Sequence, residues 1–178
     1  MTRQARSALR RLWRDEDGNP TVEFVLVFPL FLTLMISAFE SGILMTRHMM
    51  LERGLDISVR AIRLGTTEPV TAPRLRDWVC GNAAIIPDCQ NQLKVEMIRM
   101  DPQDWSTPPA GADCVDRNDP AAPNRTFQTG GNHQLMVLRV CALFDPVFPN
   151  FGLGKQITEG DKTFYALVST SVFVMEPS

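Results

Sequence analysis

Residues 18–45 read GNPTVEFVLVFPLFLTLMISAFESGILM, and the architecture of the chain follows from them. From Phe24 to Phe39 there is no charged side chain. Sixteen residues make a helix of roughly 24 Å at about 1.5 Å each, whereas a bilayer core is about 30 Å thick. The run alone is therefore slightly short. It spans if Thr21-Val22 and Ile43–Met45 extend it, or if the bilayer thins locally. Ahead of it lie Arg3, Arg6, Arg10, Arg11 and Arg14. Arg and Lys flanking a membrane helix stay on the cytoplasmic side. The sequence thus predicts a cytoplasmic N-terminus, with everything after Glu40 outside; in a Gram-negative cell that is the periplasm, and the membrane is the inner one.

Three readings of this segment compete. A cleaved secretory signal needs small residues at a site after the apolar core, and Ile36-Ser37-Ala38 lacks one at the outer position. The triplet Asp15-Glu16-Asp17 just before the run is also unusual for such a signal. A plain single-pass anchor is the second reading. Neither explains Gly18 and Glu23. A carboxylate costs about 2.5–3.5 kcal/mol at the centre of a membrane helix and less toward the interface, which marks Glu23 as a functional candidate. The plainer alternative leaves Glu23 at headgroup level, complementing the positive end of the helix dipole.

The third reading comes from a family resemblance. Gly18-Asn19-Pro20-Thr21-Val22-Glu23-Phe24, followed by an apolar helix, resembles the prepilin-peptidase site of type IVb pilins. In the Flp pilins of the tight-adherence (Tad) system cleavage follows a glycine, a glutamate stands fifth in the mature chain and an aromatic sixth. Counted from Asn19, Glu23 is fifth and Phe24 sixth; tyrosine is the commoner sixth residue. Flp pilins are very short, so the 178-residue chain is closer to the TadE-like and TadF-like minor pseudopilins. Gly18 to Leu32, including Pro29, is similar to their opening. Leu135–Gly154 and the final LVSTSVFVMEPS, with its terminal "EP", are similar to the ends of their outer domain. The resemblance implies leader cleavage between Gly18 and Asn19, Gly18 being a position where a side chain obstructs the peptidase. It implies that Glu23 pairs with an N-terminal amine, its own or a neighbour's, since a carboxylate in hydrocarbon needs a partner. The partners so implied are other pilin or pseudopilin subunits through the N-terminal helix, a prepilin peptidase, the inner-membrane pilus assembly platform and membrane lipid.

Beyond Phe39 the pattern stays helical. Leu44, Leu51, Leu55, Val59 and Ile62 recur on one face, while Arg47, Glu52, Arg60 and Arg63 fall mostly on others. Gly65, Pro69 and Pro73 end the run. One helix is expected over 22–64, with Pro29 kinking it or accommodated by neighbouring helices. The Met and Leu stripe reads as core. His48 reads as a surface or packed side chain, and His133 as a loop residue with no partner at metal-ligand spacing.

The chain thus divides into a basic leader (1–18), a long helix that is membrane-spanning in its first half (19–64) and an outer domain (65–178). Within the last, 73–83 reads as a short helix burying Leu75 and Trp78-Val79. Strands are expected at 93–100, at 134–144 (buried on both faces for part of its length) and at 163–175. Residues 101–133, rich in Pro, Gly, Asp and Asn, read as a long loop, and 145–161 as a connecting loop. The fold class is α+β: a long N-terminal membrane-spanning helix packed on a small antiparallel sheet, as in pilins.

Cys80, Cys89, Cys114 and Cys141 make an even set on the oxidising side, which favours disulfides. Four cysteines allow three connectivities. Cys80–Cys89, closing a short loop, and Cys114–Cys141, pinning the long loop to a strand, are the pairing expected here. No CxxC pair supports zinc, and Asp113, Asp116 and Asp119 lack the calcium-loop pattern, so they read as a solvated acidic loop. No metal or other cofactor is expected. The net charge of −2 and pI near 5.7 argue against nucleic acid as a partner. Motifs for a serine hydrolase, a phosphate-binding loop or a zinc protease are absent. The chain therefore reads as a structural subunit, not an enzyme. The alternatives are an anchored periplasmic binding module and, behind it, an anchored enzyme.

Overall fold

A computed structural model describes residues 20–65, 69–103, 108–119, 122–158 and 163–176. Its first element, α1 (Pro20–Arg63), is a single 44-residue helix. It runs through Pro29 without a break, and the hydroxyl of Thr33 donates to the Pro29 carbonyl at 2.8 Å. The helix dipole is complemented at both ends, by Glu23 in the first turn and by Arg60 and Arg63 in the last. Gly65 stops it: at φ 82° it takes the left-handed conformation, and its N–H returns to the carbonyl of Ile62 at 3.2 Å.

The remaining elements are α2 (Ala72–Asn82), α3 (Cys89–Gln92), β1 (Leu93–Met100), β2 (Leu135–Phe144), α4 (Gly152–Ile157) and β3 (Tyr165–Val174). The three strands form one antiparallel sheet in the order β1-β2-β3. The register sets Glu96 opposite Arg139, and Cys141 between Lys94 and Val168. The chain is α+β, a long helix on a three-stranded antiparallel sheet, as its sequence predicts. The strands end within two residues of the expected positions. Helix α4 lies within what the sequence reads as a connecting loop, and α3 falls between the expected helix and the first strand.

The core lies between one sheet face and the C-terminal half of α1 with α2. Leu51, Leu55, Val59 and Ile62 of α1 meet Leu75 and Val79 of α2 and Val95, Met97, Met136, Leu138 and Val140 of the sheet. Each such side chain, fully buried, contributes about 1.5–3 kcal/mol. Gly54 lets α1 and α2 approach closely: a Cβ there would stand 2.8 Å from the carbonyl oxygen of Val79.

The central strand is buried on both faces, as its near-continuous apolar run implies. Its second face is covered by the polar loop after β1, which is fastened at several points. Cys114 is bonded to Cys141. Asp113 pairs with Lys94 at 3.1 Å and accepts the Arg125 N–H at 2.6 Å. The Pro109 carbonyl accepts from Arg139 at 2.9 Å. The same loop covers the β1 edge, where Met97 exchanges backbone hydrogen bonds with Thr126 and Gln128. Asp113 is therefore buried and bonded, contrary to the reading of a uniformly solvated acidic loop; Asp116 and Asp119 are exposed. Beneath the loop, Glu96 is 1% exposed in its side chain and lies 2.6 Å from Arg139. Both disulfides join the expected partners, the second being Cys80–Cys89, which ties α2 to α3.

Candidate functional site

Helix α1 carries the expected assembly-motif residues Glu23 and Phe24, while the disulfide cysteines lie in the outer domain. Gly18 and Asn19, the expected cleavage pair, lie outside the described residues. Glu23 is exposed in the first turn. Phe24 is 59% exposed, and its ring stacks on Phe28 with centroids 4.7 Å apart.

Two halves of α1 sit in different surroundings. The N-terminal half is long and apolar enough to cross a membrane, and nothing in its most apolar window is buried by the rest of the chain. Val25, Leu26, Leu30, Phe31 and Leu34, which point in all directions around the helix, are each more than half exposed. In the C-terminal half, Leu51, Gly54, Leu55, Ser58, Val59 and Ile62 are buried, and Glu52, Arg53, Asp56 and Arg60 are exposed. An amphipathic pattern thus begins where the sheet begins.

The junction holds a residue whose role sequence reading misses. Glu40 closes the charge-free run, yet its side chain is fully buried. Its carboxylate accepts the Val147 N–H at 3.0 and 3.1 Å and the Phe148 N–H at 3.1 Å. These donors follow β2, 107 and 108 residues further on in the chain. Phe148 also packs edge-on against Phe39 with centroids 6.3 Å apart. Gly152, at φ 55°, abuts Ser37: a Cβ there would stand 2.7 Å from its Oγ. Segment 146–152 is therefore held against α1 at the level of Ser37–Glu40. The one available signal was compositional, since Glu40 is the sole acid between Phe24 and Leu51.

Arg47, the next charge, is also taken up by the domain. It donates to the Asp145 carbonyl at 3.0 Å and the Tyr165 hydroxyl at 2.7 Å, and it lies 5.0 Å over the Phe144 ring. Burial pushes the Tyr165 phenol above its ordinary pKa, against the pull of Arg47, so it stays neutral. His48 is half-buried beside β3, near the Val168 carbonyl at 3.4 Å and Glu52 at 3.7 Å. After Glu23, the first exposed charged residue on α1 is Glu52. The outward surface of α1 is thus free of exposed charge from Phe24 to Leu51, about 42 Å at 1.5 Å per residue. On the side of α1 turned away from the domain, the apolar surface therefore continues past the sixteen-residue run. The arrangement offers a smooth apolar rod to lipid or to other helices. Among the described residues, no group of three or more His, Cys, Asp or Glu comes together as a metal-binding set.

Residues 21–60 match the family model described as TadE-like protein. The match covers most of α1 and none of the sheet. No curated protein and no solved structure matches the chain.

Proposed function

We propose that this chain is a minor pseudopilin-like subunit that takes part in assembling a tight-adherence, type IVb pilus, by priming, capping or joining it. One observation carries the reading. The segment similar to TadE-like proteins coincides with a helix whose most apolar stretch, in its first half, is not buried by the rest of the chain, while its second half is part of the core of a disulfide-bonded α+β domain.

In this proposal the first half of α1 crosses the inner membrane, with the N-terminus cytoplasmic and the sheet domain periplasmic. The two disulfides are in keeping with that side. A prepilin peptidase cuts between Gly18 and Asn19. Glu23, one turn into the helix, then pairs with the new amine at Asn19, on the same chain or on a neighbouring subunit. Such pairing fixes axial register between packed helices, as a single buried polar residue does in coiled coils. Exposed Phe24, Phe28 and Phe31 supply apolar contact area to neighbouring subunits. The role is structural, with no catalytic chemistry of its own.

The test is the N-terminal sequence of the mature protein from its native membrane. Asn19 as first residue is the expected result. A start at Met1 or Thr2 would leave an ordinary anchored protein, and a start near Glu40 would mean a secretory signal. Gly18→Trp should abolish the cleavage. Glu23→Leu should leave cleavage intact and abolish pilus assembly; normal assembly by that variant would remove Glu23 from the proposed role.

A further inference from the structure

The segment after β2 reads PVFPNFGLGK over 146–155. It is more apolar than a periplasmic turn requires, and two of its large apolar side chains face outward while Pro146 is buried and Phe148 and Leu153 are half-buried. Val147 is 43% exposed and Phe151 51% exposed, next to Phe39 on α1 at 57%. Its height along α1 is fixed by Glu40, Phe39 and Ser37 through the contacts described above. That height can be compared with a bilayer. If the charge-free run is centred near Phe31–Leu32, half a hydrocarbon core of about 15 Å takes up about ten residues of helix. The outer boundary of the acyl chains then falls near Ser41–Gly42. Segment 146–152, packed on Ser37–Glu40, lies at or below that boundary.

From these positions we infer that residues 147–151 dip into the outer leaflet of the bilayer that α1 crosses, with Val147 and Phe151 among the acyl chains. The hydrogen bonding agrees. Backbone N–H groups that enter hydrocarbon must be satisfied within the protein, and those of Val147 and Phe148 are satisfied by a buried carboxylate. The Glu40 charge is in turn shielded by these two donors. Lys155, exposed one turn further along α4, supplies a cation for lipid phosphates, its apolar stem letting the ammonium reach headgroup level. The domain is then held to the membrane at two points, α1 and this wedge, and its tilt on the membrane is set.

The inference rests on the proposal that α1 spans the membrane, and the experiment separates the two. The full chain is placed in vesicles of phosphatidylethanolamine and phosphatidylglycerol, with a photoreactive benzophenone amino acid replacing Phe31, Phe151 or Val172 in turn. All three positions are exposed, so none holds the core. The expected result is lipid adducts at positions 31 and 151 and none at 172, on the outer face of β3. A lipid adduct at 31 without one at 151 would overturn the wedge and leave the span standing. A polypeptide adduct at 151 would overturn the wedge in favour of a subunit contact. No lipid adduct at 31 would overturn the span, and the wedge with it.

Discussion

The two halves of α1 share one backbone conformation and follow opposite rules of side-chain placement. From Phe24 to Phe39 apolar residues surround the helix and none is buried by the rest of the chain. From Leu51 to Ile62 the large apolar residues other than Ile57 keep to one stripe, and that stripe is buried while its charged neighbours are exposed. Helical geometry is indifferent to the change. What differs is the medium each half is built to meet, and so the term that each side chain contributes. In the second half a leucine stabilises the folded domain; in the first half it adds nothing to that domain and favours transfer into an apolar phase.

That contrast can be broken at several points. The largest effect is expected from Leu51→Ala, which should lower the unfolding free energy of the outer domain by about 2–5 kcal/mol. Leu30→Ala should leave it within about 0.5 kcal/mol, both read by urea titration in detergent micelles. Similar losses for the two would mean that the first half packs on the domain after all. Next comes a charge. Leu30→Arg should cost about 2.5–3.5 kcal/mol of membrane insertion, seen as protein released by alkaline extraction of membranes. Ile57→Arg, on an exposed part of the second half, should be retained like the wild type.

The junction gives a smaller effect. Glu40→Ala leaves the Val147 and Phe148 N–H donors without their acceptor and should destabilise the domain by about 1–3 kcal/mol. Glu40→Gln keeps one acceptor oxygen and should lose less. Equal stability of Glu40→Ala and wild type would show that the two donors are satisfied without it. Two glycines of α1 should give effects that differ in sign. Gly54→Ala drives a Cβ against Val79 and Ala83 and should cost about 1–3 kcal/mol. At Gly42 an added Cβ meets nothing within 4 Å, so Gly42→Ala should gain up to about 1 kcal/mol from helix propensity alone. Two stabilising glycine replacements would mean that α2 can draw back from α1.

The features legible in the sequence are those set by local periodicity. The partial alternation of Leu93, Val95 and Met97 placed β1 at Leu93–Met100, and the 3.6-residue stripe placed Leu51, Leu55, Val59 and Ile62 in the core. The disulfides were legible because one pairing closed a short loop and the other fastened a loop to a strand. What sequence reading missed depends on contacts between distant parts of the chain. Glu40 looked like the point where the helix re-enters water, because its donors belong to residues 107 and 108 positions away. Asp113 looked solvated because Lys94 and the Arg125 amide reach it only once the loop is fastened. Helix α4 was hidden by Gly152 and Gly154, which read as loop; Gly154 is buried where an added Cβ would stand 2.4 Å from the Phe148 carbonyl oxygen. Of the residues expected at the site, Glu23 stood out because a carboxylate departs from an otherwise uniform apolar run, and Phe24 came only from the family resemblance.

The unbroken passage of α1 from its exposed apolar half into the core of the sheet domain also has a mechanical meaning. Between Pro20 and Arg63 there is no hinge to absorb motion, and Glu40, Arg47 and the Gly54 crossing grip the rod at three heights. A push along the axis by one helical turn, about 5.4 Å, therefore lifts the whole domain by that distance. Rod and domain thus move as one body, with no change of secondary structure needed between them.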